Sequence, residues 1–366
     1  MNHSVTPLPR PVRIWLLIGL IMVFFQVIIG GVTRLTDSGL SITEWSVIQG
    51  TLPPMNEADW TIAFEMYQSA AKKQFESLHA DMTLSEFKVI YFWEYFHRLW
   101  ARTIGMVFLL PFLFFLWKKW MPKWLVRRLG IVILLASLTA TFGWIMVKSG
   151  LNDDNRTWVS AYKLIVHLAL ATTLFGYMCW TWFMSRQPFS VDSDFVKLKS
   201  LTRLFLFVLF VQILFGGLMA GMRAGVIHPY FPLFVQGDRL WGALTNTQGV
   251  NVQNFIDYEP SIFLKAWVQV IHRLTAYLLI ILGTILFLRI RKSMASDLLK
   301  KGNVLLISML IIQFLLGVLT VINSFGRIPV NYGVFHQGGA LILLSIVLYL
   351  LYQFRSGNQA SRGAIA

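Results

Sequence analysis

Four histidines, His97, His167, His272 and His336, sit inside long apolar runs of this chain. An ionisable side chain at membrane depth is costly and by default marks a functional site. A single one is ordinarily a hydrogen-bonded packing residue; four at comparable depth ask for a shared explanation. Each lies roughly five to ten residues past one end of its run, roughly 8–15 Å deep at about 1.5 Å per helical residue. Two neutral imidazoles facing each other across a helix bundle supply the axial ligands of a bis-histidine haem. Zinc usually takes four protein ligands, or three and a water, and no Cys or Asp accompanies these pairs at helical spacing. Arg98 and Arg273 directly follow two of the histidines, where a planar guanidinium suits a haem propionate; Arg98 is equally placed for an ion pair with Glu94 one turn away. Glu94 precedes His97 by three residues, whereas Gln269 precedes His272. A carboxylate can take a proton or stabilise developing positive charge and an amide cannot, so the two sites are expected to differ in task. His3, His79 and His228 lie in a tail and in loops and are assigned no ligand role.

The elements that must hold these residues are membrane helices. Of 366 residues, 56% are hydrophobic and 13% charged, against roughly 25% charged in soluble domains, which excludes an ordinary soluble protein. The spacing predicts eight spans near 14–31, 89–117, 126–147, 161–183, 201–221, 262–290, 304–323 and 333–353. Long continuous apolar runs rule out barrel strands, which alternate. The net charge of +15 does not indicate nucleic acid, because the basic residues fall in short connections. Those at 118–128 and 289–301 belong in the cytoplasm by the positive-inside rule. Segment 32–88 carries eight acids and faces outward, which puts both termini inside. The start, Met1–Arg13, is too short for a transit peptide and lacks a cleavage signal, so the first span is expected to be retained. The single cysteine, Cys179, lies in an apolar run and is expected to be a packed thiol.

The chain repeats itself. Gln26–Gly31 matches Gln212–Gly217, Glu94–Leu99 matches Gln269–Leu274, and Ala161–His167 matches Asn331–His336. Four spans per half keep the orientation, giving an all-α integral membrane protein of two tandem four-helix bundles related by a pseudo-twofold axis along the membrane normal. The expected divisions are a cytoplasmic tail 1–13, a first bundle 14–185 with outer loop 32–88, and a cytoplasmic linker 186–200. A second bundle 201–353 with outer loop 222–261 and a cytoplasmic tail 354–366 complete the chain. The glycine pairs Gly30-Gly31 and Gly216-Gly217 read as close-packing residues without chemistry. Asn56, followed by Glu57 and Asp59, predicts a helix start within the first outer loop, and both long loops are expected to cover the outer ends of the bundles. No Walker A loop, dinucleotide fingerprint or intramembrane acid chain is present.

The run Gly30-Gly31-Val32-Thr33-Arg34-Leu35-Thr36-Asp37-Ser38-Gly39-Leu40-Ser41, the Glu-x-x-His-Arg run at 94–98 and the repeated histidines resemble the haem A synthase family over essentially the whole chain. That family oxidises a ring methyl of haem O to a formyl group, giving haem A for cytochrome oxidase. The resemblance implies that His272 and His336 ligate a haem B cofactor, that His97 and His167 mark the haem O site, and that Glu94 is the catalytic acidic residue. Some bacterial members carry a cysteine pair in the first outer loop; this loop has none, so a mechanism needing that pair cannot operate here. The long loop without cysteines is similar to the proteobacterial and mitochondrial subgroup, and with no transit peptide a bacterial inner (cytoplasmic) membrane is expected. Further expected partners are the lipid bilayer, an electron donor or acceptor that the residues do not identify, a haem O synthase, cytochrome oxidase assembly factors and a second copy of the chain. Without the resemblance, a dihaem b-type membrane cytochrome carrying electrons from quinol fits the same residues, as does a haem transporter.

Overall fold

The computed structural model describes residues 8–44, 49–151, 156–186, 196–232, 237–245 and 252–354. The expected linker 186–200, both terminal tails, His3 and parts of the two outer loops fall wholly or partly outside these residues. In chain order the helices are α1 (Arg10–Leu35), α2 (Glu57–Ala70), α3 (Lys72–Leu78), α4 (Leu84–Trp117), α5 (Lys123–Lys148), α6 (Ala161–Arg186), α7 (Val196–Gly221), α8 (Gly237–Thr245), α9 (Val252–Ile256), α10 (Ile262–Lys292), α11 (Asp297–Ile322) and α12 (Val330–Gln353). No strand occurs among the described residues. Eight helices, α1, α4, α5, α6, α7, α10, α11 and α12, are long and apolar enough to cross a membrane, as the composition predicts. Most run several residues beyond the expected spans, because capping residues and polar end turns extend a helix past its apolar stretch.

Local chemistry sets several of these ends. Thr83 and Glu86 form a capping box at the start of α4: the Glu86 amide donates to the Thr83 hydroxyl at 3.3 Å and the Thr83 amide to the Glu86 carboxylate at 2.8 Å. Asn56 caps α2, accepting from the Asp59 amide at 2.9 Å, as the Asn-Glu-x-Asp run predicts. Pro11 falls in the first turn of α1, where its missing N–H costs nothing.

Four helices, α1 and α6 from the first half and α7 and α12 from the second, form a central seam in which α6 and α12 each touch both helices of the other half or its neighbour. Val347, Leu343, Leu350 and Phe205 are fully buried in this core. The other four spans lie outside it and expose Leu110, Leu113, Leu134, Ile281, Ile311 and Leu315, the apolar surface that lipid covers.

The first outer loop folds as a small module. Tyr67 and Phe87 are fully buried there with Leu40 and Ala71. It also ties the halves together: Arg34 donates to the carbonyls of Ala220 and Gly221 at the end of α7, both at 3.0 Å, and Asp37 pairs with Arg223. The guanidinium thereby satisfies carbonyls that the helix end leaves without partners. Glu259, from the second outer loop, accepts from the amides of Thr157 and Trp158 and pairs with Lys73.

Candidate haem sites

Each of the four histidines is seated against a glycine of the neighbouring helix. A Cβ on Gly30 of α1 would lie 3.1 Å from His97 Nε2 of α4, and one on Gly143 of α5 would lie 2.9 Å from His167 Cε1 of α6. In the second half, Gly216 of α7 stands at 3.4 Å from His272 of α10, and Gly317 of α11 at 3.0 Å from His336 of α12, by the same measure. A Cβ at Gly30, Gly143 or Gly317 would press on the imidazole, and one at Gly216 would just touch it. The expected close-packing role of the glycine pairs is thus divided: Gly30 and Gly216 admit the rings, while Gly31 abuts Gln337 of α12 and Gly217 abuts Leu168 of α6, across the seam.

One turn before each of these glycines stands a polar residue that engages the same histidine. Gln26 donates to the His97 carbonyl at 3.2 Å, and His167 Nδ1 lies 2.9 Å from the Thr139 carbonyl. The Gln212 amide lies 3.4 Å from His272 Nε2, and the Gln313 amide lies 3.1 Å from His336 Nδ1 and donates to the His336 carbonyl at 2.8 Å. The His167 contact fixes a tautomer with hydrogen on Nδ1 and leaves Nε2 as a lone-pair donor, the usual arrangement of a ligating histidine. Sequence reasoning missed Gly143, Gly317, Thr139 and Gln313; the signal was a polar residue four positions before a glycine on the helix preceding each histidine helix.

The spacing of the second pair is that of two ligands to one metal. Ring centres of His272 and His336 lie 6.3 Å apart with planes at 82°, while two imidazoles on opposite sides of one metal, at about 2 Å per metal–nitrogen bond, place their centres about 6 Å apart. His272 Nδ1 is buried without a hydrogen-bond partner among the described residues. Nowhere among those residues do three or more His, Cys, Asp or Glu side chains converge, so neither pair is extended to zinc's usual ligand number.

Beside the histidines, the two halves treat their outer loops oppositely. Glu94 is buried, and its carboxylate takes the Arg98 guanidinium at 2.6 Å, the Ser41 hydroxyl at 2.8 Å and the Ile42 amide at 2.9 Å. Arg98 also donates to the carbonyls of Ile42 and Glu44 at 2.9 and 2.8 Å. In the second half Gln269 donates to the His228 carbonyl, and Arg273 donates to the same oxygen, both at 3.0 Å. The acid therefore meets loop donors and the amide meets a loop acceptor. The Arg98–Glu94 ion pair is the one that the one-turn spacing allows, and both arginines anchor loop backbone. His228, set aside as a loop residue, is the strap across the second site; Ser41 and Ile42 are the strap across the first.

His79, also set aside, closes the loop module by a 2.6 Å hydrogen bond between its Nδ1 and the Tyr67 hydroxyl. Burial lowers the His79 pKa from its ordinary value of 6.5, opposed by nearby Asp37. Cys179 is buried, as expected.

Eight helices long and apolar enough to cross a membrane, with a histidine pair beside seating glycines in each half, define a multi-pass helical membrane protein. The chain belongs to the cytochrome oxidase assembly protein family, which it matches over residues 13–348. It is 36% identical to the heme A synthase of Flavobacterium johnsoniae, over 94% of this chain and 98% of that protein. It is 38% identical to those of Flavobacterium psychrophilum and Nitrosospira multiformis, over 94% of this chain and 98% and 94% of those proteins.

Proposed function

We propose that the chain is a haem A synthase, a membrane oxidoreductase that converts the ring methyl group of haem O to a formyl group and so supplies haem A for cytochrome oxidase. The observation that carries the reading is the duplication of a seated histidine pair in a chain of this family, with an acid beside one pair and an amide beside the other. His272 and His336 hold the iron of a haem B cofactor, and His97 and His167 hold the iron of the haem O substrate. Haem iron supplies the redox chemistry, and the protein supplies ligands, orientation and proton handling. Arg98 and Arg273, beside the strap carbonyls next to these sites, present planar forks to the haem propionates.

Glu94 acts in the first half as a fixed carboxylate. Arg98, Ser41 and Ile42 hold both of its oxygens, so that it accepts a proton from the methyl carbon undergoing oxidation or stabilises positive charge there. Gln269 has neither capacity, which suits a haem that stays in place and passes electrons. We place the chain in a bacterial inner membrane with both termini cytoplasmic, divided into a substrate bundle, 14–185, and a haem B bundle, 201–353.

The test is expression in a host that makes haem O but no haem A, followed by extraction and mass-resolved chromatography of the bound haems. Haem B with haem O and haem A is the expected result. Haem B alone, with haem O available, would replace the enzyme by an electron-carrying cytochrome.

A further inference from the structure

The two bundles are closed differently. In the second half α7 packs on α10, α10 on α11, α11 on α12 and α12 on α7, which completes a ring. In the first half α1 packs on α4, α5 on α6 and α6 on α1, but α4 does not pack along α5. These two helices meet at the turn 118–122 and leave the fourth side of the bundle unclosed.

Side chains explain the difference once the halves are put in register by their histidines and seating glycines. In the second half, buried Leu310 of α11 rests directly on Gly283 of α10, and the rings of Phe314 and Tyr277 meet at 6.1 Å across the same two helices. Ile280 of α10 packs into the core. In the first half the place of Gly283, eleven residues after the histidine, is held by Phe108, whose ring meets that of Trp15 of α1 at 4.9 Å, tilted by 34°. The places of Leu310 and Phe314, seven and three residues before the seating glycine, are held by Ala136 and Ala140, both exposed. Arg102 stands for Tyr277, and exposed Gly105 stands for Ile280, with nothing within 4 Å of where its Cβ would be. Leu310 and Phe314, which α11 sets against α10, both have an alanine as their counterpart on α5.

Building on the assignment of haem O to the first half, we propose that the gap between α4 and α5, rimmed by Gly105, Ala136 and Ala140, is a lateral portal that admits haem O from the bilayer and holds its apolar tail. A cofactor that never leaves needs no such opening; a lipophilic substrate that must enter and a product that must depart do. The rim faces hydrocarbon, and small side chains leave room for an isoprenoid-like chain beside His97 and His167 without exposing the porphyrin seat to water.

The test transplants the second half's closure into the first: Gly105→Ile, Ala136→Leu and Ala140→Phe together, in the haem O-producing host, with haem extraction. The expected result is retained haem B with loss of both haem O and haem A. An unchanged haem A yield overturns the portal and leaves the enzyme reading standing, whereas an unmodified chain that makes no haem A in the same host overturns the enzyme reading instead. Should the triple variant fail to insert, Gly105→Cys with Ala136→Cys, at matching depth, is bridged in nanodiscs by a cleavable bifunctional thiosulfonate; Cys179 is 2% exposed and does not compete. Bridging is expected to stop uptake of added haem O and reduction to restore it. Full uptake by the bridged protein overturns the proposal.

Discussion

Ser41 and Glu94 are joined by a 2.8 Å hydrogen bond that ties the first outer loop to the second membrane helix. The Ile42 amide binds the same carboxylate oxygen, and Arg98 binds the other. A carboxylate so surrounded by donors is oriented before any substrate arrives, which is preorganisation in the ordinary electrostatic sense.

Glu94→Gln tests that arrangement. The amide keeps the shape but loses the charge-assisted bond to Arg98 and turns a donor toward one of its present donors. Conversion of haem O is expected to fall by roughly 10²–10⁴-fold, the usual contribution of a positioned acid–base group, while the protein inserts and retains haem B. Haem analysis of the purified variant checks both; unaltered conversion would remove Glu94 from the chemistry.

The converse substitution, Gln269→Glu, sets a carboxylate against the His228 carbonyl, which now accepts from the amide at 3.0 Å. Two acceptors then face each other, and a buried pairing lost in this way costs about 1–3 kcal/mol. Faster hydrogen exchange around residues 224–230 is the expected outcome. No new haem-oxidising activity is expected, because the second half lacks the donors that Ser41 and Ile42 provide.

The seating glycines give a pair of separable effects. At Gly317 a Cβ would lie 3.0 Å from His336 Cε1, so Gly317→Val should push the imidazole off its place and lower haem B content. At Gly143 the corresponding distance to His167 is 2.9 Å, and Gly143→Val should lower haem O and haem A content while haem B remains. Overpacking of this kind typically costs about 1–3 kcal/mol. Equal loss of both haems from both variants would count against two independent seats. His272→Ala and His336→Ala are expected to remove the haem B spectrum outright.

A pH effect is expected in the outer loop module. Burial lowers the His79 pKa below its ordinary 6.5, so the unfolded loop binds this proton more readily than the folded one. Stability contributed by neutral His79 is then present above pH 6.5 and is lost as pH falls through 6.5 toward the lower folded value. Protection of the amides of residues 57–79 against exchange, taken relative to the free-peptide rate at each pH from 7.5 to 5.5, should fall on the acid side, and His79→Gln, which cannot titrate, should flatten the dependence.

Much of this was legible in the residues themselves. Apolar runs of membrane length fix eight helices because a backbone in lipid must satisfy its own hydrogen bonds. Histidine at matched places in a repeat, with glutamate beside one and glutamine beside the other, marks the two positions on which the proposed sites rest, since an ionisable side chain at membrane depth is costly. The polar cap at Asn56 and the one-turn spacing of Glu94 and Arg98 likewise act within a few residues, where local geometry is nearly determined by sequence.

What only the tertiary structure decided involves partners distant along the chain. That Gly143 faces His167 and Gly317 faces His336 depends on how two helices rotate against each other. So does the unlike closure of the bundles, where Leu310 meets Gly283 but Ala136 meets nothing comparable. The straps over Glu94 and Gln269 come from loops whose irregular backbone has no periodicity to read, and their donors and acceptors become definite only once the chain has brought Ser41 and His228 back over the helices. Helix formation is a local matter of hydrogen bonding and apolar length, whereas which faces meet is settled by packing among all of them at once.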